Sequence, residues 1–421
     1  MNSVETPDVE VIIAGAGPAG SMAAYHLALA GISTLLLEKS RFPRYKVCGA
    51  GLTHKILKEI PFSLERVIET TIHTFQFSSH CDHVHSQTAP LPLMYCTTRG
   101  KLDHYLAEKA SAAGARIIYG QQVRSVHQTA EQVEVFTQDR TYRSRLLIGA
   151  EGASGIVARS AGLRDHILPG LAWEAEIGAS PETLSRYAET VFLDWGTFPG
   201  GYGWVFPKSD HFSIGVGGPA SLADPMVSYY RQFIRYLKQY MDLETGSRGM
   251  DTLHKVAPFF SEREVEQRIQ AWPIPVRVQK SRFHRGRILV AGDAAGLTDP
   301  LTGEGIYYAV KSGKLAAGAC LYHLSSGTTL ENYSQAVNDE LMEELLEANR
   351  IKYLFNTVPL KIHYLVRDNQ RIWNAFGKIL RGERWYADVK KGFGKWKFLW
   401  RIACLLAKQL SDYKEKHYVP D

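Results

Sequence analysis

Val9-Glu10-Val11-Ile12-Ile13-Ala14-Gly15-Ala16-Gly17-Pro18-Ala19-Gly20 reads as a buried strand that runs into a glycine-rich turn. An Ala-rich helix is expected from about Pro18 to Ala30, ended by Gly31, and a second strand from Ser33 to Glu38. Together these form one βαβ unit. The pattern G-x-G-x-x-G is weak alone, but here it joins a strand to a helix, and Glu38 follows at the end of the next strand. Gly15 permits the tight turn, Gly17 lets a pyrophosphate approach the backbone, and Gly20 lets helix and strand pack closely. The helix start offers free N–H groups to phosphate. Glu38 can accept hydrogen bonds from an adenosine ribose and disfavours a 2′-phosphate there.

Two further strand ends point to a cofactor longer than NAD. Leu146-Leu147-Ile148-Gly149-Ala150-Glu151-Gly152 runs into a glycine-rich acidic turn. Ile288-Leu289-Val290-Ala291-Gly292-Asp293 does the same and continues through Asp299, Pro300, Gly303, Glu304, Gly305 and Ile306 into a helix. A strand ending in Gly-Asp places a carboxylate where ribityl hydroxyls could be held, and the next helix N-terminus favours negative charge near a flavin. The expected cofactor is therefore FAD.

The rest of the composition narrows the class. The 421 residues are 45% hydrophobic and 22% charged, which is enough for a large core. Net charge is +6, which suits an anionic cofactor or substrate, and no polybasic tract suggests nucleic acid. Cys48, Cys81, Cys96, Cys320 and Cys404 are scattered, so neither a disulfide framework nor a metal site is expected. The acidic N-terminus lacks a signal-peptide pattern, and no apolar run is long enough to span a bilayer. The expected location is cytoplasmic. Arg41–Leu52 reads as irregular, and Leu102–Ala112 as a helix. Residues 167–282 read as short alternating strands, among them Trp173–Ile177, Thr190–Leu193, Gly203–Val205 and Phe212–Val216, interrupted by a helix near Val227–Tyr240. The last 95 or so residues read as mostly helical.

The fingerprint, the 149–152 turn and Gly292-Asp293 resemble the para-hydroxybenzoate hydroxylase-like FAD superfamily. Two stretches are similar to geranylgeranyl reductases within it. Pro43-Arg44-Tyr45-Lys46-Val47-Cys48-Gly49-Ala50-Gly51-Leu52 resembles their P-R-x-K-x-C-G-x-G-L segment. Tyr202-Gly203-Trp204-Val205-Phe206-Pro207-Lys208 with Gly215-Val216-Gly217 resembles their Y-x-W-x-F-P-K…G-x-G segment. The resemblance covers about residues 8 to 320. It implies an α/β fold with a Rossmann-like FAD-binding domain of that type in residues 1–60, 95–165 and 283–325. An antiparallel β-sheet substrate domain would occupy 61–94 and 166–282, and a helical region 326–421.

By the same resemblance, the cofactor contacts are Gly15, Gly17, Ala19, Gly20, Glu38, Lys39, Arg44, Cys48, Gly49, Arg99, Val123, Glu151, Gly152, Asp293, Pro300, Gly303, Gly305 and Ile306. Arg99 and Asp103 match an R-x-x-x-D motif. Tyr202, Trp204 and Phe206 would line the substrate cavity, and Cys48, Tyr202 and Trp204 are the candidates for catalysis. The family usually has Gly-Ala-Asp-Gly at the second turn, where this chain has Glu151. The implied activity is saturation of C=C bonds in a geranylgeranyl or polyprenyl substrate, with NADPH or reduced ferredoxin as electron donor. Two competing readings are an oxygen-using hydroxylase or halogenase on the same fold, and a non-catalytic escort of prenyl groups. The basic, aromatic stretch Lys390–Arg401 and the apolar run to Leu410 would suit peripheral contact with a membrane surface.

Overall fold

The computed structural model describes residues 7–241, 243, 270–391 and 397–418. In chain order the first elements are β1 (Val9–Ala14), α1 (Pro18–Leu29), β2 (Thr34–Glu38), β3 (Gly51–Thr53), β4 (Thr70–Ile72), β5 (Thr74–Ser79), β6 (Asp82–Thr88) and β7 (Met94–Cys96). Next come α2 (Arg99–Ala112), β8 (Arg116–Tyr119), β9 (Ser125–Gln128), β10 (Val133–Phe136), β11 (Thr141–Gly149), α3 (Val157–Ser160), β12 (Ile167–Gly178) and α4 (Pro181–Tyr187). Then follow β13 (Thr190–Trp195), β14 (Tyr202–Pro207), β15 (His211–Pro219), α5 (Ala223–Tyr240), β16 (Gln270–Arg277), β17 (His284–Arg285) and β18 (Ile288–Val290). The remaining helices are α6 (Ile306–Ser326), α7 (Glu331–Val337), α8 (Glu343–Thr357), α9 (Pro359–Asp368), α10 (Gln370–Leu380), α11 (Ala387–Lys391) and α12 (Lys397–Lys416).

The chain divides into two compact units: Met1–Arg44 with Gly100–Leu168 and Ile274–Leu346, and Tyr45–Arg99 with Pro169–Pro273 and Glu347–Asp421. The division differs from the sequence expectation in three ways, one being that residues 166–168 and 274–282 cluster with the first unit. The C-terminal helices are shared out at Leu346, and residues 45–60 with 95–99 cluster with the second unit.

In the first unit an eight-stranded sheet runs β17-β18-β11-β1-β2-β8, with the β9–β10 hairpin attached through β11. β18, β11, β1, β2 and β8 are parallel. Val11 to Ala14 and Leu35 to Leu37 are buried, so these strands read as uninterrupted apolar runs. α6 packs on α1 through Gly313, where a Cβ would stand 2.2 Å from the Ala19 carbonyl oxygen. α6 starts at Ile306, three residues after the expected Gly303, because Gly303 turns with φ +71°.

In the second unit a seven-stranded sheet runs β16-β12-β15-β14-β13-β5-β6. The pairs β12–β15, β15–β14, β14–β13 and β5–β6 are antiparallel, and β13 pairs parallel with β5, Thr190 opposite Thr74. Alternation gives the sheet two unlike faces. Ala175, Ile177, Val205, Phe212, Ile214 and Val216 pack on Met226, Tyr230 and Phe233 of α5. The other face carries Tyr202, Trp204, Phe206, Glu174 and Glu176, and the 48–52 loop packs on it.

Arg277 organises the turn after β18. It is 1% exposed, and its guanidinium donates to the carbonyls of Ala295 (2.8 Å), Asp165 (2.7 Å) and Leu163 (2.7 Å). Burial pulls this group down to about 10, yet it stays charged at neutral pH. Replacing it by Met keeps the bulk and leaves three carbonyls with a partner missing. Arg277→Met is expected to lower unfolding stability by about 3 kcal/mol or more. Urea denaturation checks this, and an unchanged midpoint would show that the three bonds carry no net stability.

Candidate active site and cofactor cradle

The first unit supplies a cradle shaped for a dinucleotide. Gly15 has φ +96°, and a Cβ there would stand 2.5 Å from the Ala150 carbonyl oxygen. A Cβ on Gly20 would stand 1.9 Å from the Gly15 carbonyl oxygen, so this glycine lets α1 approach the turn. The start of α1 has no side-chain cap and no acidic residue in its first turn. Its free N–H groups and positive dipole end are therefore available to phosphate. Ala19 is buried within that first turn.

Glu38 is 3% exposed, with Oε2 accepting from the Ala16 amide (2.8 Å) and Oε1 from the Ser40 amide (2.9 Å). This carboxylate ties the end of β2 to the glycine turn. Arg44 places Nη2 3.0 Å from Asp103 Oδ2 on α2, with Nε 3.9 Å from Glu38 Oε1. Arg44 is thus an internal tie between β2 and α2. Arg99 is buried and begins α2, one turn before Asp103, so the R-x-x-x-D spacing falls on one helix face. Val123 is buried just after the Gln121 amide bonds the Glu38 carbonyl (2.9 Å).

Glu151 resolves the departure noted in the sequence. Its Oε2 accepts from the Val157 amide at 2.9 Å, so it caps α3. Burial pushes this carboxyl up, while bonds from the Val157 and Ile156 amides and the charge of Lys39 oppose the rise. Gly152 (φ +82°) turns the chain beside it. On the third strand end, the Gly292 amide donates to Ser312 Oγ (2.9 Å), and a Cβ on Gly305 would lie 3.2 Å from Asp293 Oδ1. Glycine at 305 thus keeps the space beside Asp293 open. Asp299 Oδ1 accepts from the Leu301 and Thr302 amides, fixing the turn through Pro300 and Gly303. These features fit FAD: bare amides for phosphate, and carboxylates at three parallel strand ends. Sequence reasoning missed Gly313, Ser312 and Arg277, whose spacing carries no motif.

Cys48 and Gly49 belong to the second unit, where the 48–52 loop lies on the aromatic face of the sheet. A Cβ on Gly49 would stand 2.4 Å from the Phe206 ring and 3.3 Å from Trp204 Nε1. One on Gly51 would meet the Met94 methyl at 2.3 Å. Lys208 Nζ donates to the Gly49 carbonyl (2.7 Å), and Thr97 donates its amide to Ala50 (3.1 Å). Ala50 sits at φ +45°, a conformation that a residue with a Cβ adopts under constraint. Tyr202, Trp204 and Phe206 form a ladder on the same face, with ring centroids 5.7 and 6.5 Å apart. Gly215 stands opposite both Trp204 and Glu174. A Cβ there would lie 2.2 Å from the Trp204 ring, so the indole rests over β15.

Glu174 was not singled out in the sequence. It is 1% exposed, and its Oε1 accepts the Cys48 amide at 3.2 Å. Burial, reinforced by Glu176, pushes its carboxyl up to about 7 against the bond from Cys48, the charge of Lys208 and the Ser213 hydroxyl. The same burial and negative neighbours push the Tyr45 phenol upward.

Residues 8–337 match the family described as FAD binding domain. A chloroplastic geranylgeranyl diphosphate reductase of Oryza sativa is 27% identical over 362 residues, 82% of this chain and 72% of its own. A digeranylgeranylglycerophospholipid reductase of Methanocaldococcus jannaschii is 28% identical over 359 residues, 82% and 85% of the two chains. Among solved structures, a geranylgeranyl bacteriochlorophyll reductase-like protein of Thermoplasma acidophilum aligns with TM-score 0.61 at 24% identity, over 82% of this chain and 86% of that one. A flavin-dependent brominase aligns with TM-score 0.72 at 19% identity, over 95% and 99%. The two structures share the fold.

The raised carboxyl carries a sign. Glu174 binds its proton more tightly folded than unfolded, so its stabilising share is full below its unfolded value of 4.5 and is lost as pH rises through about 7. Glu174→Gln should therefore gain stability over the parent between about pH 5 and about pH 8, by up to about 3 kcal/mol. Equal stability differences at both pH values would contradict the raised carboxyl. With its cradle, its family match and its isoprenoid-reductase relatives, this chain belongs to the FAD binding domain family and is an FAD-dependent oxidoreductase similar to geranylgeranyl reductases.

Proposed function

We propose that the protein saturates C=C bonds of a geranylgeranyl or longer polyprenyl substrate. The observation that carries this reading is the Cys48–Leu52 loop seated on Trp204 and Phe206 through side-chain-free positions at 49 and 51. The two segments that resemble geranylgeranyl reductases, about 150 residues apart, thus meet on one sheet face. FAD, reduced by NADPH or ferredoxin, supplies the hydride when bound. The chain's residues hold the prenyl chain against Tyr202, Trp204 and Phe206, keep water from the double bond, and present an acid at Cys48. An isolated alkene is a poor hydride acceptor, so a placed proton donor is essential.

The C-terminal helix supports contact with an anionic lipid surface. On α12 the buried residues Trp400, Cys404, Ala407 and Ser411 form one seam, and Ile402, Leu405, Leu406, Leu410 and Tyr413 form an exposed apolar face. The seam is anchored to α8 by Asn356 Nδ2 to Ser411 Oγ (3.1 Å) and Thr357 Oγ1 to the Ala407 carbonyl (3.2 Å). Residues 390–416 carry eight Lys or Arg against two acids. Residues 392–396 of the basic, aromatic stretch lie outside the described residues. Among the described residues no helix is long and apolar enough to cross a membrane.

Anaerobic reduction with dithionite followed by geranylgeranyl diphosphate tests the activity. The flavin band should return as product gains two hydrogens per turnover, and Cys48→Ser should slow this by roughly 100-fold while leaving flavin bound. Flavin that stays reduced until oxygen enters would favour a hydroxylase or halogenase, and a colourless protein an escort. The full chain should also float with anionic but not neutral vesicles, and Leu405→Glu with Leu406→Glu should abolish this. Absence of flotation with anionic lipid would remove the membrane contact.

A further inference from the structure

Two segments of the second unit, far apart in sequence, bring basic side chains together. His54–Lys58 is a short 3-10 turn that follows β3 directly, and residues 381–384 form the turn after α10. Lys58 Nζ donates to the Gly382 carbonyl at 2.6 Å. Gly382 has φ +64°, and a Cβ there would stand 2.8 Å from Lys55 Cβ, so the second turn lies flush on the first. Glu383 is the acid at this contact, and Arg381 Nε donates to its Oε1 at 2.5 Å. The bond from Arg381, then the charges of Lys378 and Lys58, hold its carboxyl below the usual range. Burial, then the charges of Arg381 and Lys58, hold the neighbouring His54 imidazole below its usual value, against Glu383. Three cations thus surround one carboxylate. Residues 54–59 and 378–384 together carry five Lys or Arg and two acids. Like charges gathered around so few counter-charges repel one another, and a bound anion relieves them.

The surroundings of these cations suit an amphiphile. α10 sends Trp373, Phe376 and Leu380 into an apolar cluster with Phe75, Phe77, Met94 and Phe206. The same helix carries Lys378 in its last turn, with Arg381 as its C-cap. The His54 amide donates to the carbonyl of Leu93, a member of that cluster, at 3.1 Å. The basic turn therefore adjoins the apolar cluster. Gly51 lies beside the Phe206 ring, and His54 follows it by three residues, at most about 11 Å of extended chain. A geranylgeranyl tail is long enough to lie on the ladder with its head at the cations. We propose that Lys58, Lys378 and Arg381 bind the diphosphate head of the substrate, which makes that substrate a prenyl diphosphate. The identity of the tail rests on the prenyl-reductase reading. The two ammonium groups act as point charges, and Arg381 has further N–H donors beyond the one that faces Glu383.

Calorimetric titration of the full-length, FAD-loaded protein with inorganic diphosphate tests the site, because the cofactor then fills its own phosphate cradle. Lys58→Gln and Lys378→Gln should each raise the Kd by roughly tenfold. Glu383→Gln removes the competing carboxylate and should lower it. Lys361→Gln, an exposed cation on α9, should leave it unchanged. No binding by the parent, unchanged affinity in either lysine variant, or an equal loss in Lys361→Gln overturns the proposal. If Lys58→Gln does not fold, the exposed Lys378 carries the test alone. Geranylgeranyl diphosphate should lose affinity in the same variants, whereas geranylgeraniol should bind parent and variants alike. An equal loss for geranylgeraniol would show a packing effect and overturn the head-group site. The phosphate of a lipid surface shares this chemistry. Loss of flotation with anionic vesicles in the lysine variants, with diphosphate affinity intact, would assign the cations to lipid and overturn the proposal. Lysine-dependent binding of inorganic diphosphate without turnover of geranylgeranyl diphosphate would sink the prenyl reading and leave the anion site standing.

Discussion

The 48–52 loop can lie on the sheet because three positions carry no side chain. Gly49 and Gly51 leave room for the Phe206 ring and the Met94 methyl, and Gly215 leaves room for the Trp204 indole. The consequences spread from that contact. The loop's amide at Cys48 reaches Glu174, its carbonyl at Gly49 reaches Lys208, and Ala50 is held in a left-handed conformation by bonds on both sides. A methyl group at Gly49 would meet the Phe206 ring at 2.4 Å, so at this position the absence of a side chain lets the loop lie close to the sheet. Much of the unit's chemistry thus depends on a steric condition rather than on any one polar bond.

The first unit uses its backbone in a related way. The start of α1 is left bare, and the carboxylates near it are spent on amides: Glu38 on Ala16 and Ser40, Glu151 on Val157. These bonds hold the turns in place while leaving other amides open to phosphate. Arg277 does comparable work for the turn after β18, where a buried guanidinium gathers three carbonyls from two stretches of chain.

The βαβ fingerprint and the strands around 142–148, 203–205 and 212–216 were legible because local periodicity decides them, while the structure extends the last two to 202–207 and 211–219. The partition of the chain was less so. Residues 45–60 sit between first-unit segments in sequence and cluster with the second unit, through pairings such as Gly51 with Cys96 that local patterning does not reveal. The parallel pairing of β13 with β5 joins strands about 115 residues apart and leaves no sequence trace. Glu174 and Glu176 alternate with apolar neighbours, which in sequence is the mark of a solvated face. A loop from 126 residues earlier in the chain covers Glu174 and turns that polar position into a buried acid. Glu151 was visible as a departure, but its use as a cap for α3 needed the fold.

The central claim is that the ladder of Tyr202, Trp204 and Phe206, under the Cys48 loop, is where a prenyl chain lies. Photocrosslinking with a diazirine-bearing geranylgeranyl diphosphate, followed by peptide mapping, tests it most directly. The account predicts label on residues 202–207 and 48–52, competed away by unmodified geranylgeranyl diphosphate. Competable label confined to other segments, with these two stretches unmarked, would contradict it.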